Sequence, residues 1–339
     1  MYKTRVFFVH PRWQMGGVEQ TNGRWARILV KSGFEVIGLT WHSTYNSQEG
    51  SFISLKNFRN SFALFSTLVN SATRNDCVVI CQSYFLIKIL IYILFLKTKK
   101  VKIVLTERNS FEQYKASPIK YNLYRILYPQ LFKIFDGIIV NSEEMKDELV
   151  YSRVSSKMLV FRNPRFSEDD IRKLRRIKPR KGTSNIFTFC RWAYQKDTDF
   201  LKSASIKFNN IGTDFEVFCG QDDYSFQRPF VESALDYMIE NTGIILFCSR
   251  FEGYSNMLVE ARSAGLPVLY SHCKTGVYEI LKNYKGAFEF DKYNENSLIL
   301  AYKEACSYIE ENLIKPDLQF AEQHSTEESS TEKLIEYLF

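Results

Sequence analysis

The chain has 339 residues, more than one ordinary domain and enough for two. Residues 1–165 carry 24 Lys and Arg against 11 Asp and Glu, giving +13, whereas the remainder carries 21 against 27, giving −6. This division indicates that the basic half faces a polyanion, such as anionic lipid or a diphosphate-bearing acceptor. We expect no nucleic acid partner, because no nucleic-acid-binding motif is present.

The cysteines and the longest apolar run indicate in which compartment the protein works and whether it crosses a membrane. None of the seven cysteines has zinc-knuckle or redox C-x-x-C spacing, so we interpret them as free thiols in a reducing cytosol. The chain runs directly into its first strand, which predicts no signal peptide. The apolar run 84–96 is shorter than the roughly 20 residues of a membrane crossing. We interpret it as a buried helix, with contact to a bilayer surface as the alternative because lysines follow it.

In the first half, predicted strands alternate with helices. The strands are expected at 5–9, 35–40, 76–81, 101–105, 137–140 and 157–161, with another strand and a helix within 51–74. Further helices are expected up to residue 32 and at 84–96, 121–135 and 143–150. This alternation predicts a parallel sheet whose site lies at the carboxyl ends of the strands. His10, Gln82 and Glu107 follow such ends and are therefore candidate site residues.

Two glycines follow the first strand. Gly16, Gly17 and Glu19 lie in the segment between this strand and a helix that runs to about residue 32. A strand, a Gly-Gly turn and a helix form a loop through which the backbone can approach a phosphate. An ordinary tight turn is the alternative interpretation.

In the second half, a strand at 185–190 is followed by Arg191 and Lys196, and then by a helix. Two surface cations are the alternative to an anion site here. Asp197 and Asp199 have the D-x-D spacing of a metal–nucleotide motif. They lie at a predicted helix start, however, where Asp is a favourable cap, so we expect no metal.

The most specific stretch is 252–268. A strand ends shortly before Glu252, a loop contains Gly253, and a helix begins at Ser255 or Asn256. A helix start presents unpaired N–H groups and partial positive charge to a phosphate. Glu252 precedes this start and Glu260 lies beyond it on the helix. Carboxylates on both sides of a phosphate-binding helix start suit a phosphorylated polyol, because its hydroxyls can donate to them.

The string EG-x-S-N-x-x-x-E-A-x-x-x-G-x-P-V resembles the signature of the retaining glycosyltransferases of sequence family 4, which have the GT-B fold. The resemblance implies that Glu252 touches the donor sugar and that Glu260 binds the ribose. It also implies that the helix start, here Gly253, Ser255, Asn256 and Met257, holds the diphosphate. An ordinary Glu-bearing amphipathic helix is the alternative.

The same resemblance assigns roles to the cations. Arg191 and Lys196 match the family's diphosphate-holding pair, although Cys190 and Asp197 replace its two glycines. Fixed cations can offset charge on a leaving diphosphate, so the resemblance requires no cofactor or metal.

The glycine loop also matches the family, in which a G-G-x-E loop lines the cleft opposite the donor. By this resemblance, Gly16 and Gly17 belong to the donor side and Glu19 to the acceptor side.

The pair Glu107-Arg108 stands where many family members have His-Asp. It resembles the bacterial subset that acts on polyisoprenoid-diphosphate-linked saccharides. In this interpretation Glu107 orients or deprotonates the acceptor hydroxyl, and Arg108 meets an anionic acceptor. An internal ion pair that shapes the loop is the alternative.

We therefore predict two Rossmann-like α/β domains facing a cleft (GT-B): 1–163 for the acceptor, 164–315 for the nucleotide sugar, and a helix in 316–339 returning to the first. The expected activity is retaining hexosyl transfer from a nucleoside diphosphate sugar, with UDP expected, to a lipid-linked saccharide at the cytoplasmic face of the plasma membrane. A sugar-nucleotide epimerase and an inactive nucleotide-sugar-binding subunit are the alternatives. The stretch 221–241 is short for the family's usual module, so the residues that contact the base stay unassigned.

Overall fold

The computed structural model describes residues 4–11, 17–41, 54–83, 85–115, 117–149, 157–294, 296–325 and 328–339. The chain divides into two compact units. The first unit comprises Met1–Pro164 with Thr326–Phe339, and the second comprises Arg165–Ser325. Each contains a parallel sheet with packed helices, so the prediction of two Rossmann-like α/β domains is confirmed.

The first unit is built on a seven-stranded sheet in the order β3-β2-β1-β4-β5-β6-β7. Its strands are β1 Arg5–Val9, β2 Glu35–Thr40, β3 Ser54–Asn57, β4 Cys77–Cys81, β5 Lys102–Glu107, β6 Gly137–Val140 and β7 Met158–Val160. Its first five helices are α1 Gly17–Lys31, α2 Ser61–Ser71, α3 Leu86–Thr98, α4 Pro118–Phe132 and α5 Glu143–Leu149. The strand order reverses between β1 and β4, which is where doubly wound sheets bind ligands.

Two apolar layers cover the sheet of the first unit. The larger cluster packs α2, α3, α4 and α5 against one face, with Tyr128 and Phe132 fully buried in it. The smaller cluster packs α1 on the other face through Trp25 and Leu29. The central strands are consequently buried on both sides, as their continuous apolar runs predict.

The second unit has a six-stranded sheet in the order β10-β9-β8-β11-β12-β13. Its strands are β8 Ile186–Phe189, β9 Phe215–Phe218, β10 Gln227–Arg228, β11 Ile244–Phe247, β12 Val268–Ser271 and β13 Ala287–Phe290. Its helices are α6 Glu168–Arg176, α7 Thr198–Asn210, α8 Ala234–Glu240, α9 Asn256–Ser263, α10 Tyr278–Leu281, α11 Ser297–Glu311 and α12 Leu318–Glu322. In 221–241 a strand–helix module is present in compressed form, because β10 has only two residues and α8 seven.

The C-terminal residues are divided between the two units. Helix α12 belongs to the second unit, where Asp317 accepts a bond from Arg262 at 3.0 Å. The last helix, α13 (Glu328–Leu338), belongs to the first unit. There Tyr337 Oη accepts from the Ile138 backbone N–H at 2.7 Å. The side chain of Tyr337 also fills the space over Gly137, where a Cβ would lie 2.7 Å from its hydroxyl.

Two further expectations concern the cysteines and the apolar run 84–96. All seven cysteines are free. Over the described ranges, no helix is both long enough and apolar enough to cross a membrane. Helix α3 covers most of the run and contributes four fully buried side chains to the core, namely Leu86, Ile89, Ile93 and Leu96.

Candidate functional site

The parallel pairing of β8 with β11 brings the second unit's candidate residues to one edge of its sheet. Lys196 follows β8 in a short 3-10 turn, and Glu252 follows β11. Carboxyl ends of adjacent parallel strands meet at the same edge. The two side chains meet there, although they are 56 positions apart in the sequence.

Glu252 is buried and has partners on both carboxylate oxygens. Its Oε1 forms an ion pair with Lys196 Nζ and accepts from Ser249 Oγ at 2.8 Å. Its Oε2 accepts from Gln195 Nε2 at 3.3 Å. Burial alone lowers the pKa of Lys196, but the Glu252 carboxylate outweighs it and the net effect raises that pKa. The lysine therefore remains an ammonium ion at neutral pH.

Arg191 is the other predicted cation of this edge. Its side chain is exposed and forms no salt bridge with any residue that the structure describes. Its charge nevertheless acts on Lys196, because it is one of the groups that lower the pKa of that ammonium. The site thus has one free guanidinium beside a paired ammonium.

Asp197 occupies the position where the family pattern has its second glycine. Its φ of 54° is left-handed, a conformation that glycine takes without strain. Its Oδ1 contacts Arg250 at 2.7 Å and its Oδ2 contacts Lys292 at 2.8 Å. Lys292 also donates to the Cys248 carbonyl at 2.5 Å, so this carboxylate joins the turn before α7 to the loop after β11. Sequence reasoning did not identify Arg250 or Lys292.

Helix α9 begins beside Glu252. Ser255 is its N-cap and accepts from the Leu258 N–H at 3.5 Å. The amide oxygen of Asn256 is buried and has no hydrogen-bond partner among the described residues. The Met257 sulfur accepts from the Phe189 N–H at 3.4 Å and so seats the first turn on the end of β8.

Gly253 lies in the tight loop before this helix. Gly276 takes a φ of 73°, and a Cβ on it would lie 2.2 Å from the Gly253 carbonyl oxygen. The Thr275 hydroxyl donates to the Glu252 carbonyl. The hydrogen bond from Thr275 and the close packing of Gly276 therefore hold the loop that carries Glu252 in place.

Glu260, the predicted ribose contact, is buried and forms an ion pair with Arg165. Arg165 is the first residue of the second unit and was not a sequence candidate. Near it, the Tyr254 hydroxyl contacts His324 Nε2 at 2.7 Å. The beginning and end of this unit therefore both contact α9 or the loop before it.

In the first unit, Glu107 is the last residue of β5 and is buried. Its Oε1 accepts from the Arg108 N–H at 3.2 Å. Burial raises the pKa of Glu107 to about 7, although hydrogen bonds from Ser83 and the adjacent backbone partly oppose the shift. This carboxyl group can therefore exchange a proton near neutral pH.

Arg108 is buried, and its guanidinium forms hydrogen bonds with uncharged side chains. Its guanidinium donates to the side-chain oxygens of Asn163 at 2.5 Å, Asn141 at 3.4 Å and Asn22 at 3.4 Å. It also lies 4.2 Å from the ring centre of Trp25. Burial lowers the pKa of Arg108 to about 10. Over the described residues no salt bridge joins Arg108 to Glu107, so the alternative of a loop-shaping ion pair is not what the geometry shows.

The glycine loop lies mostly outside the described residues. Gly16 is not described, Gly17 is the first residue of α1, and nothing is described for the side chain of Glu19. The described part of the chain contains no cluster of three or more His, Cys, Asp or Glu side chains suited to a metal ion.

Residues 15–164 match the family model described as Glycosyltransferase Family 4. No curated protein matches the chain at a significant level. The match covers most of the first unit and supports a glycosyltransferase.

Solved structures share the whole architecture at low sequence identity. The pneumococcal O-GlcNAc transferase GtfA, in complex with UDP and GlcNAc, is 11% identical with a TM-score of 0.71, covering 100% of this chain and 99% of that one. The lipopolysaccharide outer core galactosyltransferase WaaB is 14% identical with a TM-score of 0.67, covering 99% of each chain. The catalytic domain of starch synthase IV from Arabidopsis thaliana, bound to ADP and acarbose, is 12% identical with a TM-score of 0.62, covering 99% and 98%. The fold is GT-B, as predicted.

Proposed function

We propose that the protein is a retaining glycosyltransferase that moves a hexosyl group from a nucleoside diphosphate sugar, with UDP as the nucleotide, to a lipid-linked saccharide. The acceptor would be one used in bacterial cell-surface polysaccharide synthesis, such as O-antigen or capsule, at the inner face of the plasma membrane. The observation that carries the proposal is the contact of Lys196 with Glu252 at the sheet edge, beside the start of α9. The match of residues 15–164 to Glycosyltransferase Family 4 and the UDP-bound relative of the same fold support it.

In this proposal, the donor diphosphate lies against the start of α9. Lys196, Arg191 and the first N–H groups of the helix neutralise the charge that develops as the nucleoside diphosphate leaves. The unpartnered oxygen of Asn256 is a hydrogen-bond acceptor available to a hydroxyl or N–H of the donor.

Glu252 has a separate role in the proposal. Its carboxylate accepts hydrogen bonds from sugar hydroxyls, and its existing bonds to Ser249 and Gln195 hold it in position. Glu260 accepts from the ribose, which requires the sugar to approach a carboxylate already paired with Arg165.

On the acceptor side, Glu107 takes the proton from the attacking hydroxyl, for which a pKa of about 7 is well matched to neutral pH. The guanidinium of Arg108 donates to neutral Asn side chains, and in this proposal its charge meets the diphosphate of a lipid-linked acceptor. Among the residues that the structure describes, no side chain near the proposed donor site is an evident nucleophile. We therefore propose that the hydroxyl attacks the face from which the diphosphate departs, which retains the anomeric configuration.

The test is incubation of the purified protein with a panel of nucleotide sugars, with and without a lipid-linked saccharide. Transfer with a retained anomeric configuration, read by NMR, supports the proposal. Interconversion of the free sugar nucleotides would identify an epimerase, for which the proton-exchanging Glu107 is the supporting observation. Binding without turnover, read as a higher melting temperature, would identify an inactive subunit.

A further inference from the structure

Helix α3 is apolar on its outward face as well as on its core face. Four large apolar side chains are about half exposed, namely Ile87 (47%), Ile91 (59%), Leu94 (50%) and Phe95 (53%). A helix that is apolar all round is ordinarily covered on every side or in contact with lipid. About half of the surface of each of these four side chains stays uncovered by the residues that the structure describes.

Helix α4 continues this exposed apolar surface. Ile119 (83%), Leu123 (50%) and Ile126 (74%) recur at helical spacing, which places them on one stripe of the helix. This stripe points away from Tyr128, which lies in the core. With the four side chains of α3, these three residues form what we call the outer apolar face.

The two helices approach each other at both ends, so their exposed apolar side chains belong to one face of the first unit. Both pack on the same side of the sheet, over the adjacent strands β4, β5 and β6. Tyr128 of α4 donates to the Ser83 carbonyl, just before α3, at 2.8 Å. At the other end, Lys97 of α3 pairs with Asp136, just after α4, at 2.5 Å.

Cations predominate around the outer apolar face, although Lys97 pairs with Asp136 and Lys115 pairs with Glu112. The sequence has no Asp or Glu between Asp76 and Glu107, and none between Glu112 and Asp136. Exposed cations in these two stretches are Lys88, Lys99, Lys100, Lys115, Lys120, Arg125 and Lys133. A surface that combines large apolar side chains with an excess of cations is complementary to anionic headgroups above hydrocarbon.

We propose that the outer apolar face docks on the surface of a bilayer that contains anionic lipid. Helix α3 has 13 residues and is therefore about 20 Å long, so it lies along the interface rather than crossing it. Both helices begin near the carboxyl edge of the sheet, where Glu107 ends β5. The inference does not require the proposed transferase activity.

The experiment is co-sedimentation of the full chain with vesicles of phosphatidylcholine, with and without phosphatidylglycerol, and without any nucleotide sugar. We expect binding to the anionic vesicles that weakens as salt is raised. Two variants separate the apolar from the electrostatic contribution to vesicle binding. The first, Ile119→Ser/Leu123→Ser/Ile126→Ser, removes the apolar stripe of α4. The second, Lys120→Gln/Arg125→Gln, removes two cations. Each should lower the partition coefficient by about tenfold or more.

The matched control is Ile206→Ser/Leu300→Ser, which removes two equally exposed apolar side chains from the second unit (62% and 57%). It should bind vesicles as the unaltered chain does. Thermal unfolding of all three variants should match the unaltered chain, because every substituted side chain is exposed. Absence of vesicle binding, equal loss in the control, or a dimer that the α4 substitutions dissociate while vesicles stay unbound would each overturn the proposal.

Discussion

The candidate site residues of the two units differ in how their buried charges are balanced. In the second unit, buried carboxylates pair with cations: Glu252 with Lys196, and Glu260 with Arg165. In the first unit, Glu107 and Arg108 are both buried, yet each is held by neutral groups. A buried pair keeps both partners charged, whereas a buried group without a counter-ion shifts its pKa towards the neutral form.

This difference corresponds to two kinds of chemistry. The second unit has fixed charges that can neutralise a leaving anion without exchanging protons. The first unit has a carboxyl group whose pKa of about 7 lets it accept or release a proton at neutral pH. The comparison therefore predicts that substitutions in the second unit change the rate at every pH, whereas substitution of Glu107 changes how the rate depends on pH.

The largest expected effect follows from Glu252→Ala. This change removes the carboxylate that we propose positions the donor sugar, and it leaves the Lys196 ammonium without its anion. We expect kcat/KM for transfer to fall by about 10²- to 10³-fold or more. The measurement is initial rates with the donor found by the nucleotide-sugar panel.

Glu216→Ala is the matched control for Glu252→Ala. Glu216 also pairs with a cation of the second unit, Arg228 at 2.7 Å, but it is more exposed. The Glu216→Ala variant should transfer at the rate of the unaltered protein, and both variants should unfold cooperatively. Full activity in Glu252→Ala would remove Glu252 from the site.

Glu107→Gln tests the proton-exchanging group of the first unit. If the carboxylate is the base, the rate of the unaltered protein should rise through about pH 7, and Glu107→Gln should be slow at every pH without this rise. Glu112→Gln is the control, because Glu112 pairs with Lys115 near the surface. A rise through pH 7 that persists in Glu107→Gln would assign the base elsewhere.

The same substitution has an effect on stability whose sign follows from the raised pKa. The folded protein keeps the proton of Glu107 up to about pH 7, whereas the unfolded chain releases it near 4.5. This contribution to stability is complete below pH 4.5 and is lost as the pH rises to 7. Relative to Glu107→Gln, the unaltered protein should lose about 3 kcal/mol of unfolding free energy between these pH values. Denaturant unfolding at the two pH values measures the difference.

The elements of both sheets could be predicted because their patterns are local. Alternating apolar strands and helices with Gly, Ser and Asn at the ends indicate the βα order. Strand ends indicate Glu107 as a candidate, whereas the family resemblance indicates Lys196 and Glu252. The error at α4 is also local: the helix was expected at 121–135, but Pro118 fits its first position and starts it earlier.

The partners of the site residues could not be predicted, because they depend on tertiary contacts. Lys292 reaches Asp197 across 95 positions, and Asn22 reaches Arg108 across 86. Helix α3 is an intermediate case. Its apolar composition predicted burial, but no property of the helix alone indicates that a second face stays uncovered.

A smaller effect is expected from breaking the ion pair of Glu260 with Arg165. Removing one partner leaves a mostly buried charge, so Glu260→Gln or Arg165→Met should each lower the unfolding free energy by about 2 kcal/mol. The double variant should recover part of this loss. Only Glu260→Gln should also raise the KM for the donor if Glu260 binds the ribose. An equal rise in Arg165→Met would make the role of the pair purely structural.

Asp197 is expected to give a still smaller difference. Asp197→Gly and Asp197→Ala both remove the carboxylate that holds Arg250 and Lys292. Both residues must adopt the left-handed φ of 54°, which strains alanine but not glycine. We therefore expect Asp197→Ala to be less stable than Asp197→Gly by about 1 kcal/mol in chemical denaturation. Equal stability would mean that the turn relaxes when the carboxylate is lost.

The smallest expected effect is that of EDTA, which we predict leaves the transfer rate unchanged. Asp197, the first residue of the D-x-D pattern, has a cation on each carboxylate oxygen, and Asp199 is exposed and 3.5 Å from Arg250. A metal at this position would have to displace Lys292 or Arg250 from Asp197, whereas Lys196 and Arg191 already supply fixed positive charge. Rates measured in EDTA and in Mg²⁺ test this directly. A Mg²⁺ requirement that Asp199→Asn abolishes would show that the aspartates bind a metal after all.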